Sequence, residues 1–456
     1  MPLIIPSNSQ SATGYTIDQS IRFNDDDSAY LSKTWSGAGD KQKFTFSFWV
    51  KRGNITSRQI LLSFRQDVPL EFEADDTLRV YLFGTTALNT NRLFRDPAAW
   101  YHIVLSVDST QAVSSERVRL YVNGQRETSF SAASYPSLNA SANIYTSTLE
   151  NYIGRIVNGS NYFDGYMAEI HFLDGISYGP EFFGETTSNG LWIPKEYNGS
   201  YGTNGYKIDG RDSSDLGDDE SGNGNDFTAN GLAAHDQVLD SPTNNFCVMN
   251  SIENVPCTFT QGNLTIDSTS NFTGAAIRGT VHIQGGSTGK WYYEVVGSLT
   301  GDYFSTGWML SSIITPGSTV IGQDVGSVAF YNTGSYQNTT NVQGVISKPA
   351  AGDVIGVGLD ASTGQVFLRD DSGWYVGTLS SNALSSGVVI TGFSGEDLVM
   401  ASRNSSSGTA TYNFGQDGTF AGAKTAQGNT DANGIGNFFY TVPDGFLAIC
   451  TKNLGS

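Results

Sequence analysis

Glu169-Ile170-His171-Phe172-Leu173-Asp174 places two carboxylates and an imidazole within one short run of the chain. Glycoside hydrolysis needs such a carboxylate pair, one acting as acid and the other as nucleophile or base across the scissile bond. A single strand delivers the set when it reads E-x-D-x-x-E, and here His171 stands where the middle acid would be. Side chains alternate along a strand, so Glu169 and Asp174 point to opposite faces unless a bulge intervenes. The residues therefore predict no catalytic pair. The four histidines, His102, His171, His235 and His282, are far apart and show no H-E-x-x-H spacing, which argues against zinc. His102 reads as a half-buried strand residue, and no nucleophile-elbow or P-loop string occurs.

One segment could hold a metal. The run from Asp209 to Asp226 is acidic and punctuated by glycine, and hard oxygen ligands on a relaxed turn suit calcium. Asp218, Asn223, Asn225 and Asp226 are the first candidates, and calcium is the one cofactor with a candidate donor set. The competing reading is a linker rich in Asx-turns, whose side chains satisfy their own backbone. Tyr197, Tyr201 and Tyr206 are candidates for stacking on sugar rings, against the alternative that they pack between two domains.

The elements that must position these residues are strands. Only 15% of the 456 residues are charged, while Tyr (22) and Phe (26) are abundant, so long solvated helices are disfavoured and short strands favoured. Phe44 to Val50 alternates with period two, as do Trp100 to Val107, apolar on one face and mixed on the other, Val118 to Val122 and Tyr166 to Leu173. Asn123-Gly124 after the third of these is a hairpin signal, and Pro180 to Gly184 is the one plausible helical turn nearby. Strands resume at Lys290 to Val296, Asp353 to Asp360 and Gln365 to Arg369. A strand–turn–strand–turn unit recurs in both halves, which suggests two copies of one sandwich type. The chain divides into an arm (1–16), a first sandwich (17–208), an acidic Gly-rich linker (209–243) and a second sandwich (244–456).

The charge of −19, with no basic run, argues against nucleic-acid binding. No apolar run is long enough for a membrane-spanning helix, so no membrane insertion is expected, and the first residues do not read as a signal peptide. Cys247, Cys257 and Cys450 are too few for a disulfide framework and fit a reducing compartment, with a Cys247–Cys257 bridge left open.

Several strings then resemble known families. Ser20 to Asn24, Ala29 to Ser32, Phe46 to Arg52, Trp100 to Val104, Leu120 to Gly124 and Tyr152-Ile153-Gly154-Arg155 occur in the order seen in laminin-G-like, concanavalin A-like lectin domains. Phe163 to Ile170 resembles their closing strand. Gly289 to Val295, Gly307-Trp308, Gly352 to Asp360 and Tyr412 to Gln416 resemble a SPRY-type domain, with a departure at Arg369-Asp370-Asp371. The resemblances imply an all-β chain of two concanavalin A-like, jelly-roll antiparallel sandwiches. The pair in this order, with Gly190 to Lys195, Gly217 to Thr228 and Pro443 to Leu454, resembles virion proteins of tailed bacteriophages, notably marine ones. That likeness implies a structural protein on the particle exterior, made in the host cytoplasm, as capsid decoration, head-fibre or tail-fibre component. Its partners would be other virion proteins, further copies of itself and host-surface polysaccharide. The alternatives are a phage glycan depolymerase and a free-standing lectin.

Overall fold

The computed structural model describes residues 14–455 except 36, 65–66, 145–149, 254–256, 269–275, 298–303, 314–320, 323–324, 332–334, 339–340, 346–351 and 405–407. The chain forms two compact units that part between Asn244 and Asn245. Both are antiparallel β-sandwiches, as the alternation of apolar residues predicts. The described helices are short: three-residue turns at Ser114–Glu116, Pro180–Phe182 and Ala234–Asp236, and one α-helix at Thr451–Leu454. No helix among the described residues is long and apolar enough to cross a membrane.

In chain order the first unit begins with β1 (Ser20–Phe23), β2 (Tyr30–Thr34), β3 (Lys43–Arg52), β4 (Gln59–Phe64), β5 (Asp67–Phe72) and β6 (Thr77–Leu82). It continues through β7 (Thr85–Leu93), β8 (Trp100–Asp108), β9 (Val118–Val122), β10 (Gln125–Arg126), β11 (Phe130–Ala133) and β12 (Glu150–Ile153). It ends with β13 (Gly165–Asp174), β14 (Gly184–Thr186), β15 (Trp192–Pro194), β16 (Tyr206–Ile208), β17 (Thr228–Asn230) and β18 (Gln237–Val238). One sheet runs β10-β9-β8-β3-β13-β1-β18, with β16 also on β13, and the facing sheet runs β11-β7-β6-β5-β4-β12-β2-β17.

Period-2 patterning fixes which side of β3 meets the core. Phe44, Phe46, Phe48 and Val50 point inward, and Phe46 stacks on Phe172 of β13 at 4.5 Å. The alternate residues, Ser47, Trp49 and Lys51, therefore project from the outer face of the same strand. They are buried as well, so a further layer of chain must cover that face.

Part of that layer is the segment expected to be a linker. Residues 209–243 belong to the first unit, so the reading of them as a strandless acidic connector is corrected. β17 pairs with β2 and β18 with β1, while Leu216 and Phe227 enter the core. Asp236 pairs with Arg22 at 3.2 Å, and Asp240 with Lys51 at 2.7 Å. The segment looks like a linker because its polar residues serve turns and buried ion pairs, and its strands are too short for alternation to show.

In the second unit the strand Lys290–Gly297 lies between Val354–Asp360 and Gly408–Asn413, while Phe446–Ala448 pairs in parallel along its start. The facing sheet centres on Phe304–Leu310 and Leu398–Asn404. Tyr293, Trp308, Tyr412 and Phe414 fill the space between the sheets. Glu294 is fully buried and accepts hydrogen bonds from the Tyr292 hydroxyl, the Asn413 amide and the N–H groups of Phe439 and Tyr440. Burial pushes its carboxyl up to about 7 against the pull of those donors. No disulfide joins Cys247 to Cys257.

Phe227 discriminates between linker and core. Its ring lies 4.8 Å from Tyr206 and is 3% exposed, so Phe227→Ala is expected to destabilise the first unit by about 3–5 kcal/mol in chemical denaturation. A change near zero would return the segment to the status of a connector.

Candidate functional site

The acid and base groups singled out in the sequence gather on the outer face of β3, β8 and β13. Register between β13 and β3 shifts between Ala168 and His171, and Glu169 adopts φ +49°, a left-handed conformation rare for a residue with a side chain. The bulge turns Glu169 outward beside His171, while Ile170 and Phe172 remain in the core. Asp174 does not join them. It accepts the N–H groups of Asp40 and Asn204 instead.

Every donor around Glu169 is already committed to it. One carboxylate oxygen takes the Tyr15 hydroxyl at 2.9 Å and lies 3.3 Å from Lys207 Nζ, while the other faces His171 Nε2 at 3.2 Å. Burial would raise this carboxyl, but the hydrogen bond and charge of His171, with Lys207 and Tyr15, hold it down to about 2. An acid so strong has no proton to donate near neutrality, and its lone pairs are taken.

His102 is locked in a different way. Trp192 Nε1–H can only donate, and it donates to His102 Nδ1 at 3.0 Å. The imidazole therefore carries its proton on Nε2, which donates to Ser47 Oγ at 2.9 Å. No lone pair is left to deprotonate Ser47, so this serine–histidine contact is not an activated nucleophile. Burial, with the charge of His171, pushes His102 down to about 3.

Aromatic rings from the 176–204 segment close the face. Trp192 stacks over His102 at 5.8 Å, and Tyr197 lies against Phe183 at 5.1 Å. Gly184 is required beneath Trp192, since a Cβ there would approach the indole to 2.3 Å. The space enclosed by Tyr15, Trp49, His102, Glu169 and His171 leaves no room for the centre of a water molecule.

The three tyrosines expected to stack on sugar serve this packing, which corrects that expectation. Tyr206 is fully buried and stacks on Trp35 at 6.1 Å. Tyr197 is buried with its hydroxyl on Ser200 O, and half-buried Tyr201 meets His171 Nδ1 at 3.0 Å. They pack within the first unit rather than between units. Their reason is the pairing of β16 with β13, which brings Tyr206 beside Phe172.

The four residues proposed as calcium ligands do not assemble into a cage. Asp219, not among them, is the hub: it accepts the N–H groups of Lys207, Ser221 and Asn225 and the Ser221 hydroxyl, at 2.7–2.9 Å. Asn223 and Asn225 turn their amide nitrogens onto the Gly205 carbonyl, each at 2.9 Å. Asp226 accepts the Asp219 N–H at 3.1 Å, and Asp218 is half-buried with no cation beside it, its carboxyl raised by burial and by Asp226. Oxygens engaged by backbone donors and amides presenting N–H groups do not fit a divalent cation. Among the described residues no group of three or more His, Cys, Asp or Glu could hold a metal.

A different set of side chains, Tyr152 apart, is partly accessible. Tyr30 and Tyr152 project outward from the neighbouring strands β2 and β12, whose Leu31 and Ile153 fill the core. Gly154, at φ +95°, turns the chain where a Cβ would meet the Phe23 ring at 3.0 Å. Arg155 then folds back, its guanidinium 3.7 Å from the Tyr30 ring centre and 4.2 Å from that of Tyr152. Tyr162 adds a third ring, 6.2 Å from Tyr30. Tyr30, Tyr162 and Arg155 are half-buried. The sequence offered a trace of this set in Tyr152-Ile153-Gly154-Arg155, but Tyr30 lies on a distant stretch and joins only through strand pairing.

Comparison with known proteins fits the geometry. Residues 23–176 match the concanavalin A-like lectin/glucanases superfamily. This stretch of the first unit thus has a concanavalin A-like lectin fold. No curated protein matches the sequence. Among solved structures, the chain is similar to the PSpry domain of TRIM65 (11% identity, TM-score 0.29, 37% of this chain and 88% of that one). It is also similar to the SPRY domain of human HERC1 (10%, 0.28, covering 36% and 96%). A Bacteroides ovatus protein described as carbohydrate-binding gives 18% identity and a TM-score of 0.33, over 48% of this chain and 61% of that one.

Two outcomes follow from the closed face and the acidic loop. Glu169 and His102 both titrate below their ordinary values of 4.5 and 6.5, so their stabilisation is complete above those values and is lost as pH falls below them. Unfolding free energy should therefore drop on acidification, and His102→Gln should flatten the fall that begins near 6.5. An unchanged profile in that variant would contradict the neutral, buried imidazole. Asp219→Ala should cost about 2–4 kcal/mol through lost hydrogen bonds, whereas EDTA should leave the Tm unchanged. A Tm fall under EDTA that calcium reverses would restore the metal reading.

Proposed function

We propose that this chain is a non-catalytic, carbohydrate-binding protein displayed on the exterior of a tailed-bacteriophage particle, as capsid decoration, head fibre or tail fibre. The observation that carries the binding reading is the half-buried group of Tyr30, Tyr162 and Arg155, backed by buried Tyr152, on a concanavalin A-like sandwich. Aromatic faces suit the C–H faces of sugars, and they stand on the outer surface of one sheet while the acid and base groups of the other sheet are closed in. The absence of a free carboxylate pair in that closed cluster supports a protein that binds without cleaving.

The particle placement rests on the strings Gly190 to Lys195, Gly217 to Thr228 and Pro443 to Leu454, which resemble phage virion proteins. A single shallow sugar contact is weak, and a particle carrying many copies converts it into useful avidity, by roughly 10²–10⁴. The partners would be other virion proteins, further copies of this chain and host-surface polysaccharide.

Purified chain immobilised at high density should retain host-surface polysaccharide without releasing reducing sugar. Tyr30→Ala and Tyr162→Ala should each weaken retention several-fold, about 1 kcal/mol per ring, with the Tm little changed. Release of reducing ends that Glu169→Gln abolishes would make the protein a depolymerase. Antibodies against the chain should label intact particles, and unlabelled particles would remove the virion placement.

A further inference from the structure

We propose that the Arg155–tyrosine cluster is a subsite for an acidic sugar, in which the guanidinium receives the carboxylate of a uronic or similar carboxyl-bearing pyranose. The inference rests on the carbohydrate-binding reading and specifies its ligand. It begins from the state of the first unit's arginines. Arg22, Arg52, Arg58, Arg79, Arg92, Arg95, Arg126 and Arg211 each pair with a carboxylate of the chain. Arg117 and Arg119 are spent on carbonyls and serine hydroxyls.

Arg155 is treated differently. Its partners are rings and phenol oxygens: the Tyr30 and Tyr152 rings, which meet at 66°, lie beside its guanidinium, and the Tyr162 hydroxyl is 3.5 Å from Nη1. No ion pair engages it among the described residues, and its Nε is buried without an acceptor, so contact with a ligand falls to the Nη groups. In a chain with 44 acidic residues against 25 basic ones, carboxylates are not in short supply. The nearest acidic neighbour in sequence, Glu150, is held by the Tyr152 hydroxyl at 2.9 Å. The guanidinium is thus held beside two rings, half-buried, and without a carboxylate among the described residues.

A planar fork held in this way matches a carboxylate, and a charge-assisted contact is roughly twice as strong as a neutral one. Half-buried Tyr30 and Tyr162 offer aromatic surface beside Arg155 for the pyranose, and the Tyr162 hydroxyl can serve a ring hydroxyl. A neutral sugar would use the rings alone. The overall charge of −19 opposes an acidic polymer at long range, but beyond ~8 Å that repulsion is screened at physiological salt. Affinity at this subsite should therefore hold or rise between low and physiological salt, whereas adhesion to a diffuse basic patch falls.

The test measures binding of the full chain to oligogalacturonate, to the same oligomer with its carboxyls reduced to alcohols, and to a sulfated neutral oligosaccharide. The acidic oligomer should bind about tenfold to a hundredfold tighter than its reduced form. Arg155→Gln should erase that difference while leaving binding of the reduced oligomer within about twofold, and Arg155→Lys should keep part of it. Unchanged near-ultraviolet circular dichroism in both variants shows that the tyrosines remain packed. Equal affinity for the acidic and reduced oligomers, or a preference that survives Arg155→Gln, overturns the subsite while leaving carbohydrate binding standing. A preference for the sulfated oligosaccharide overturns the carboxylate assignment. Failure to bind host polysaccharide or any of these probes overturns the carbohydrate reading itself.

Discussion

The ion pair between Lys51 and Asp240 decides what the first unit can do. Both side chains are fully buried, 2.7 Å apart, and Trp100 Nε1 donates to the second carboxylate oxygen at 3.0 Å. A charge stripped of water and left without its partner costs several kcal/mol, so the segment carrying Asp240 cannot lift from the sheet carrying Lys51 without a large penalty. Arg22 with Asp236 repeats the arrangement two strands along, on β1, and Lys207 pairs with Glu169 on the intervening β13. These three pairs, two of them fully buried, tie the outer face of one sheet to chain that arrives later in the sequence.

Closure of that face sorts the unit's chemistry. Groups that resemble catalytic parts (Glu169, His171, His102 and Ser47) are neutralised by one another and by Tyr15, Trp192 and Lys207, in a space too small for water. Their work is structural: each satisfies a buried polar neighbour that would otherwise be costly. The recognition proposed here falls on the facing sheet, where Tyr30 and Tyr152 project from the outer side and Gly154 returns Arg155 across them.

The parts of this account that were legible in the sequence are those with a local signature. Phe44 to Val50 and Val118 to Val122 show their alternation directly, and each is a strand with that face inward. The string Tyr152-Ile153-Gly154-Arg155 carries Arg155 and one of the rings beside it. What was not legible depends on distant partners. Asp240 reads as one more acid in a polar stretch until Lys51 is placed beside it, and Asp219 looks no different from Asp218 until its carboxylate is seen holding three backbone N–H groups. Tyr206 reads as an accessible aromatic because its strand is only three residues long. The bulge at Glu169 has no sequence signature at all, since nothing in Ala168-Glu169-Ile170 demands a left-handed residue.

The central claim is that the first unit binds through the open sheet and keeps the other sealed. Hydrogen–deuterium exchange of the full chain, with and without host polysaccharide, tests it most directly. The account predicts slow exchange in 165–174 and 206–243 in the free protein, unaltered by the ligand, with new protection confined to 28–34 and 150–163. Ligand-dependent change within 165–174 or 176–204, with none around Tyr30 and Arg155, would show that the covered face opens to the sugar and would contradict it.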